Sequence, residues 1–171
     1  MTIDGMPAYL SYVSRSHINL QAPNDATIGP VSVVVTTANG SATSTATLAQ
    51  FAPSLLLLDA THVAGIIPRS NGSGAYGGGT YDIIGPTGTS LGYSTVAAKA
   101  GNIVELFGTG FGPTNPAVAA GQVFSGAAPT INPVQLLIND VYVDPMFRFV
   151  RAWVVWPPPR AQSSRYNRAR M

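Results

Sequence analysis

Tyr76, Tyr81 and Tyr93 lie within residues 69–98, a stretch that also carries Ser70-Asn71-Gly72-Ser73-Gly74 and Gly77-Gly78-Gly79. Glycine at that density loses much backbone entropy on ordering and brings little apolar surface to bury. Its three tyrosines are therefore the candidate ligand-binding residues, on an exposed and adaptable surface. Tyr9, Tyr12, Phe51, Phe107 and Phe111 are read instead as core or turn-packing groups, because strand alternation turns at least some of them inward.

Gly108-x-Gly110-x-Gly112 follows a strand-like run, as a dinucleotide fingerprint would. The context denies it. Gly112 is followed by Pro113, Asn115 and Pro116, so no helix starts in register, and no acid stands about 20 residues on. The motif reads as a structural turn. His17 and His62 are the only imidazoles and lack the spacing of a zinc site. His17 is expected to point outward from an amphipathic strand and His62 to lie in the turn after Asp59.

The acids Asp4, Asp25, Asp59, Asp82, Glu105, Asp140 and Asp144 fall mostly at turns, where Asp side chains bond to nearby main chain. Two carboxyls converging on one cleft, as glycoside hydrolysis needs, are not indicated by any spacing. Calcium held through Asp59 or Asp82 with main-chain carbonyls is the better metal reading, since that ion takes oxygen ligands. It is weaker than a purely structural role for both residues. No Gly-x-Ser-x-Gly elbow occurs, neither histidine has an identifiable partner serine, and the absence of cysteine removes thiolate chemistry and disulfides. We expect no catalytic residue, no cofactor and no metal; the chain is not expected to be an enzyme.

The elements that would position these residues are strands. Charged residues make up 9% of the 171, and 18 glycines with 14 prolines disfavour helix from the outset. Ala8–Val13 and His17–Gln21 read as neighbouring half-buried strands. Val31–Thr37 is the clearest β run, rich in β-branched residues, and Asn39-Gly40 predicts a type I′ hairpin into Ala42–Leu48. Ser54–Asp59 predicts a buried strand and residues 69–90 a long irregular connection. Ile103–Phe107 predicts a further strand. Val134–Ile138, a turn at Asn139-Asp140 and Val141–Val143 repeat the pattern of Met1–Ala8, at a spacing of about 135 residues. No apolar stretch approaches the roughly 20 residues of a membrane helix. The first residues lack the basic start and apolar run of a signal peptide.

Met1–Ala8, Ile18–Pro23, Val31–Val35, Ala52-Pro53 and Phe107-Gly108-Thr109-Gly110-Phe111-Gly112-Pro113 together resemble an uncharacterised acidobacterial family, the Solibacter-type C-terminal domain. More distantly, they are similar to the IPT/TIG immunoglobulin-like modules. The resemblance runs over roughly residues 1–145. It implies an all-β fold of two partly incomplete immunoglobulin-like β-sandwich units: residues 1–68, a Gly/Ser-rich connection over 69–98, and a truncated second unit over 99–147. It brings no catalytic residue with it.

Residues 148–171 depart from that family. They hold six arginines, no acid and both tryptophans, whereas residues 1–147 hold three basic residues against seven acidic ones, a balance of −4. A frameshift near residue 147, or a disordered tail, is the expectation for this Arg/Pro/Trp-rich segment. A nucleic-acid or membrane-surface patch of arginines with Trp153, Trp156 and Tyr166 is the reading set against it, and no nucleic-acid partner is expected. Incomplete sandwiches would leave strand edges unpaired, so marginal stability and a tendency to associate follow.

The function expected on these grounds is that of a non-enzymatic structural or adhesive module of a larger secreted or cell-surface bacterial protein, located outside the cell or in its envelope. Its partners would be other domains of the parent protein or a surface glycan. The alternative is a carbohydrate-binding module that uses the loop aromatics.

Overall fold

A computed structural model describes residues 1–143 except Val123 and Ser125, together with Pro145 and the strand Phe149–Val150. The fold is all-β, with several small antiparallel sheets. Among the described residues the one helical turn is the 3₁₀ segment Gly77–Gly79, and no helix is long and apolar enough to cross a membrane. The Arg/Pro/Trp tail with Trp153, Trp156 and Tyr166 lies outside the described residues. The chain divides into two compact units, one built from Met1–Ala52 and the described residues from Phe111 on, the other from Pro53–Gly110.

In the first unit, β1 (Thr2–Ile3), β2 (Met6–Pro7), β5 (Gly29–Thr37) and β6 (Gly40–Leu48) form a sheet in the order β2-β1-β5-β6. Alternation along β5 places Val31, Val33 and Val35 on one face, opposite Ala46, Ser44 and Ala42 of β6. Val31 is buried there. The other face carries a Thr/Ser ladder in which the Ser41 hydroxyl donates to Thr36 Oγ1 at 3.0 Å. The β5–β6 hairpin stands as the β-branched run predicts, but its turn does not. The closing pair is Thr37 with Gly40, so Ala38 and Asn39 are the turn residues, and only Gly40 takes positive φ, at 130°. The Thr37 hydroxyl oxygen accepts the Asn39 N–H at 3.2 Å, and that local bond holds the turn without the two left-handed residues of type I′.

β3 (Tyr9–Val13) pairs with β4 (Ile18–Gln21), with a register shift between Leu10 and Tyr12. These are the two neighbouring strands expected, yet β3 is exposed along its whole length rather than half-buried. Both members of the pattern repeat are two-residue hairpins of one kind. Asp4 and Gly5 turn at φ 50° and 75°, Asn139 and Asp140 at 51° and 60°, so each turn places both central residues in left-handed space.

The second unit contains β7 (Ser54–Leu55), β8 (Gly65–Pro68), β9 (Tyr81–Ile83), β10 (Glu105–Leu106) and β11 (Gly108–Thr109). A three-stranded sheet runs β10-β8-β9, and β7 pairs with β11. Ile67 at the centre is 1% exposed. Two predicted strands shrink: Ser54–Asp59 keeps only β7 with Leu57 exposed, and Ile103–Phe107 keeps only β10 with Ile103 and Val104 exposed. Pairing goes on past β7 but changes partner: Leu56 N–H donates to Phe107 O, Leu57 bridges to Val63 and Leu58 N–H donates to His62 O, so no single long ladder forms. Residues 69–90, by contrast, are more ordered than their composition suggests. They supply β9, and Asp82 and Ile83 are both buried.

The first unit continues with β12 (Ala128–Pro129), β13 (Leu136–Ile138), β14 (Val141–Val143) and β15 (Phe149–Val150), paired β12 with β15 and β13 with β14. Ala128, fully buried, and Thr114 belong to its core. Leu137, Ile138, Val141 and Tyr142 of the β13–β14 hairpin are exposed.

Candidate functional site: the tyrosine-bearing glycine loop

The segment from Arg69 to Thr80 joins β8 to β9, and its conformation is set by one carboxylate. Register pairs Ile67 with Asp82, so the Asp82 side chain shares the inner face with the most buried isoleucine. A carboxylate in that position must be paired. Arg69 Nε donates to Asp82 Oδ2 at 2.8 Å, and the Ala75 N–H donates to Oδ1 at 2.9 Å. The Arg69 guanidinium, followed by the Ala75 amide, holds the Asp82 carboxyl below the usual carboxylate range. The loop thus folds inward onto β9.

Within it the Gly74 N–H donates to Gly79 O at 2.8 Å, and the Thr80 hydroxyl donates to Gly77 O at 2.8 Å. Glycine is required where the loop closes most tightly, since a Cβ on Gly74 would run into the main chain of Tyr81. Tyr76 and Tyr81 bridge through the Tyr76 N–H to Tyr81 O bond of 3.0 Å. Their rings stack with centroids 6.2 Å apart and planes inclined by 17°. Both side chains are half-buried. The structure therefore brings two of the three candidate tyrosines together as one aromatic pair.

Tyr93 belongs to a separate loop. The Gly85–Val96 segment is closed by reciprocal Gly88–Thr95 main-chain bonds of 3.0 and 2.8 Å, and by the Thr95 hydroxyl donating to Pro86 O. Thr95 is 2% exposed, so this hydroxyl is an interior staple, and half-buried Tyr93 follows the Thr89–Gly92 turn. Thr95 was not singled out in the sequence. Its signal there is faint: one threonine flanked by Ser94 and Val96 after a turn-rich run.

The remaining candidate ligands are occupied by their own turns. Asp59 Oδ1 accepts the Thr61 N–H at 2.8 Å and the His62 N–H at 2.9 Å, while His62 Nδ1 lies 2.8 Å from Oδ2. The Thr61 amide, then the His62 side chain, lower the Asp59 carboxyl to about 2. Both Asp59 and Asp82, the two carboxylates considered for calcium, have their oxygens engaged in this way. Among the described residues no group of three or more His, Asp or Glu side chains gathers as a metal site. His62 sits in the turn after Asp59, and His17 is exposed, bonded to Asn19 Oδ1 and 6.2 Å from the Tyr12 ring. Gly110 and Gly112 turn at φ 75° and 84°, Gly112 against the Phe51 ring, and no helix follows them among the described residues.

The chain matches no family model, no curated protein and no solved structure. The site is thus read from its own geometry. It offers an aromatic pair on a hydrogen-bonded loop, held by a part-buried ion pair, and that arrangement can stack against a flat ligand face.

Proposed function

We propose that the chain is a non-enzymatic structural or adhesive β module of a larger exported protein, built on immunoglobulin-like sandwich units of the Solibacter-type C-terminal kind. The observation that supports this reading best is where the polar side chains are spent. Asp59, Asp82, Thr95 and Ser41 each bond within their own turn, loop or ladder. That pattern rigidifies a scaffold; it does not array groups around a substrate. One hairpin type recurs at Asp4-Gly5 and Asn139-Asp140, both within the first compact unit. The assignment to this family rests on analogy of pattern and fold. An experimental structure of the full chain tests it: two sheets packed face to face at about 10 Å support the sandwich, and sheets that do not stack overturn it.

A second reading is favoured by the Tyr76–Tyr81 stack alone, that of a carbohydrate-binding module using the loop aromatics. Glycan-array binding that disappears in both Tyr76→Ala and Tyr81→Ala supports this alternative. An array without signal leaves the structural module standing.

A further inference from the structure

The two edges of the β2-β1-β5-β6 sheet are unlike. β2 is two residues long and ends in Pro7, which has no N–H to offer a neighbour. β6 runs nine residues, pairs with β5 without a register shift, and carries neither charge nor proline. Charges, prolines and bulges are the devices that keep an edge strand from pairing again. None is present on β6.

The phase of the ladder says which groups face the open edge. In an antiparallel pair, alternate residues direct their main-chain groups to one neighbour and the rest to the other. The Asp4 N–H donates to Ser32 O at 2.8 Å, so Ser32 points toward β1. Thr45, opposite Ser32, therefore points away from β5, as do Ser41, Thr43 and Thr47 at the same parity. Among the described residues the N–H and C=O groups of these four have no main-chain partner. All four side chains are exposed.

We propose that β6 is a self-association edge, and that two copies of this chain pair β6 to β6, antiparallel, about a two-fold axis that passes between their two Ser44 residues. In that register Ser41 meets the partner's Thr47, and Thr43 meets the partner's Thr45. Every outward-facing residue meets another outward-facing residue, which yields about eight main-chain hydrogen bonds. Side chains match as well: threonine lies opposite threonine or serine on one face, Ala42 opposite the partner's Ala46 on the other. An axis normal to the sheet sets the Val31/Val33/Val35 face of one copy beside the same face of the next. The strand has no charge with which to select a charged partner, whereas its own sequence is complementary to itself. The blunt β2 edges end the joined sheet, so the assembly closes as a dimer and not as a fibre.

The test is sedimentation equilibrium of the full-length chain over the micromolar range, with thermal melts to show that each variant is folded. The wild-type mass is expected to rise toward twice the monomer. A Thr43→Lys/Thr45→Lys chain sets like charges opposite each other across the axis and stays monomeric, as does a Thr43→Glu/Thr45→Glu chain. Mixing the two restores the dimer. Thr45→Pro removes an outward N–H without touching the β5 ladder, and abolishes association independently. A wild-type monomer at every concentration overturns the proposal. So does a dimer that survives the lysine pair or Thr45→Pro, since it must use another surface such as the exposed β13–β14 hairpin, and so does a lysine/glutamate mixture that stays monomeric.

Discussion

Arg69 and Asp82, thirteen residues apart, meet in a 2.8 Å ion pair whose carboxylate belongs to a residue only 7% exposed. The pair spans the glycine loop and turns it inward. Asp82→Ala removes the acceptor for both Arg69 and the Ala75 amide, and is expected to cost about 1–3 kcal/mol, the range for losing a part-buried hydrogen bond to a charged group. Arg69→Ala should fall in the same range, and the double variant should cost less than the sum of the singles, because both remove one interaction. Additive losses in denaturant melts would show that the two residues act separately.

The loop distinguishes among its glycines. Gly78, at φ 70°, has open space where a Cβ would stand, so Gly78→Ala should cost only the left-handed penalty of about 1–2 kcal/mol. Gly74→Ala drives a methyl group into the Tyr81 main chain and should be the more damaging of the two. It should also disturb the Tyr76–Tyr81 stack, which near-ultraviolet circular dichroism reads directly. Equal melting temperatures for the two variants would contradict the packing described.

Acid should weaken the fold through its hydrogen-bonded carboxylates. Asp59 titrates at about 2 against an ordinary 3.8, and Asp25, through the Thr27 amide, and Asp82, through Arg69, are lowered too. A depressed folded pKa stabilises above the unfolded value and is lost as pH falls through the folded one. Stability should therefore be level above about pH 5 and decline from near pH 4 to pH 2. Asp59→Asn should make that decline shallower. A melting temperature constant down to pH 2 would remove this account, as would an Asp59 carboxyl titration by NMR at an ordinary midpoint.

Thr95→Val keeps the shape of a buried side chain but leaves Pro86 O without its hydroxyl donor. A cost of about 1–3 kcal/mol is expected, with Thr95→Ser nearer to wild type because it retains the hydroxyl. Hydrogen exchange at the Gly88 and Thr95 amides should quicken in the valine variant. If exchange there is unaltered, the main-chain bonds close this loop without the side chain.

The β5–β6 hairpin is legible because the residues on each side of its turn are almost all β-branched or small, residues 31–37 on one side and 41–47 on the other. Its turn type is not, since Thr37 supplies a side-chain bond that Asn39-Gly40 alone does not reveal. The glycine loop reads as irregular in sequence because composition counts what a segment lacks. The order there comes from Arg69 and Asp82, and that is a pairing across the loop, invisible in any short window. The alternation Tyr81-Asp82-Ile83, one acid between two β-formers, was the available hint of a strand with a buried carboxylate. Tyr76 and Tyr81 are candidates by residue type and setting; that they stack on each other, with Tyr93 on a different loop, depends on how that pairing folds the chain.

The ladder between Ser54–Leu55 and Gly108–Thr109 has an architectural consequence of its own. It ties the first residues of the second unit to its last, so that Pro53–Gly110 leaves and rejoins the chain at neighbouring points, while on the other side Phe51 lies against Gly112. The molecule is nested rather than serial: one stretch of polypeptide is inserted into another as a self-closing parenthesis. The ends of that stretch lie side by side, so a short linker could span the gap its removal leaves, or join them to one another while new termini open at a loop tip.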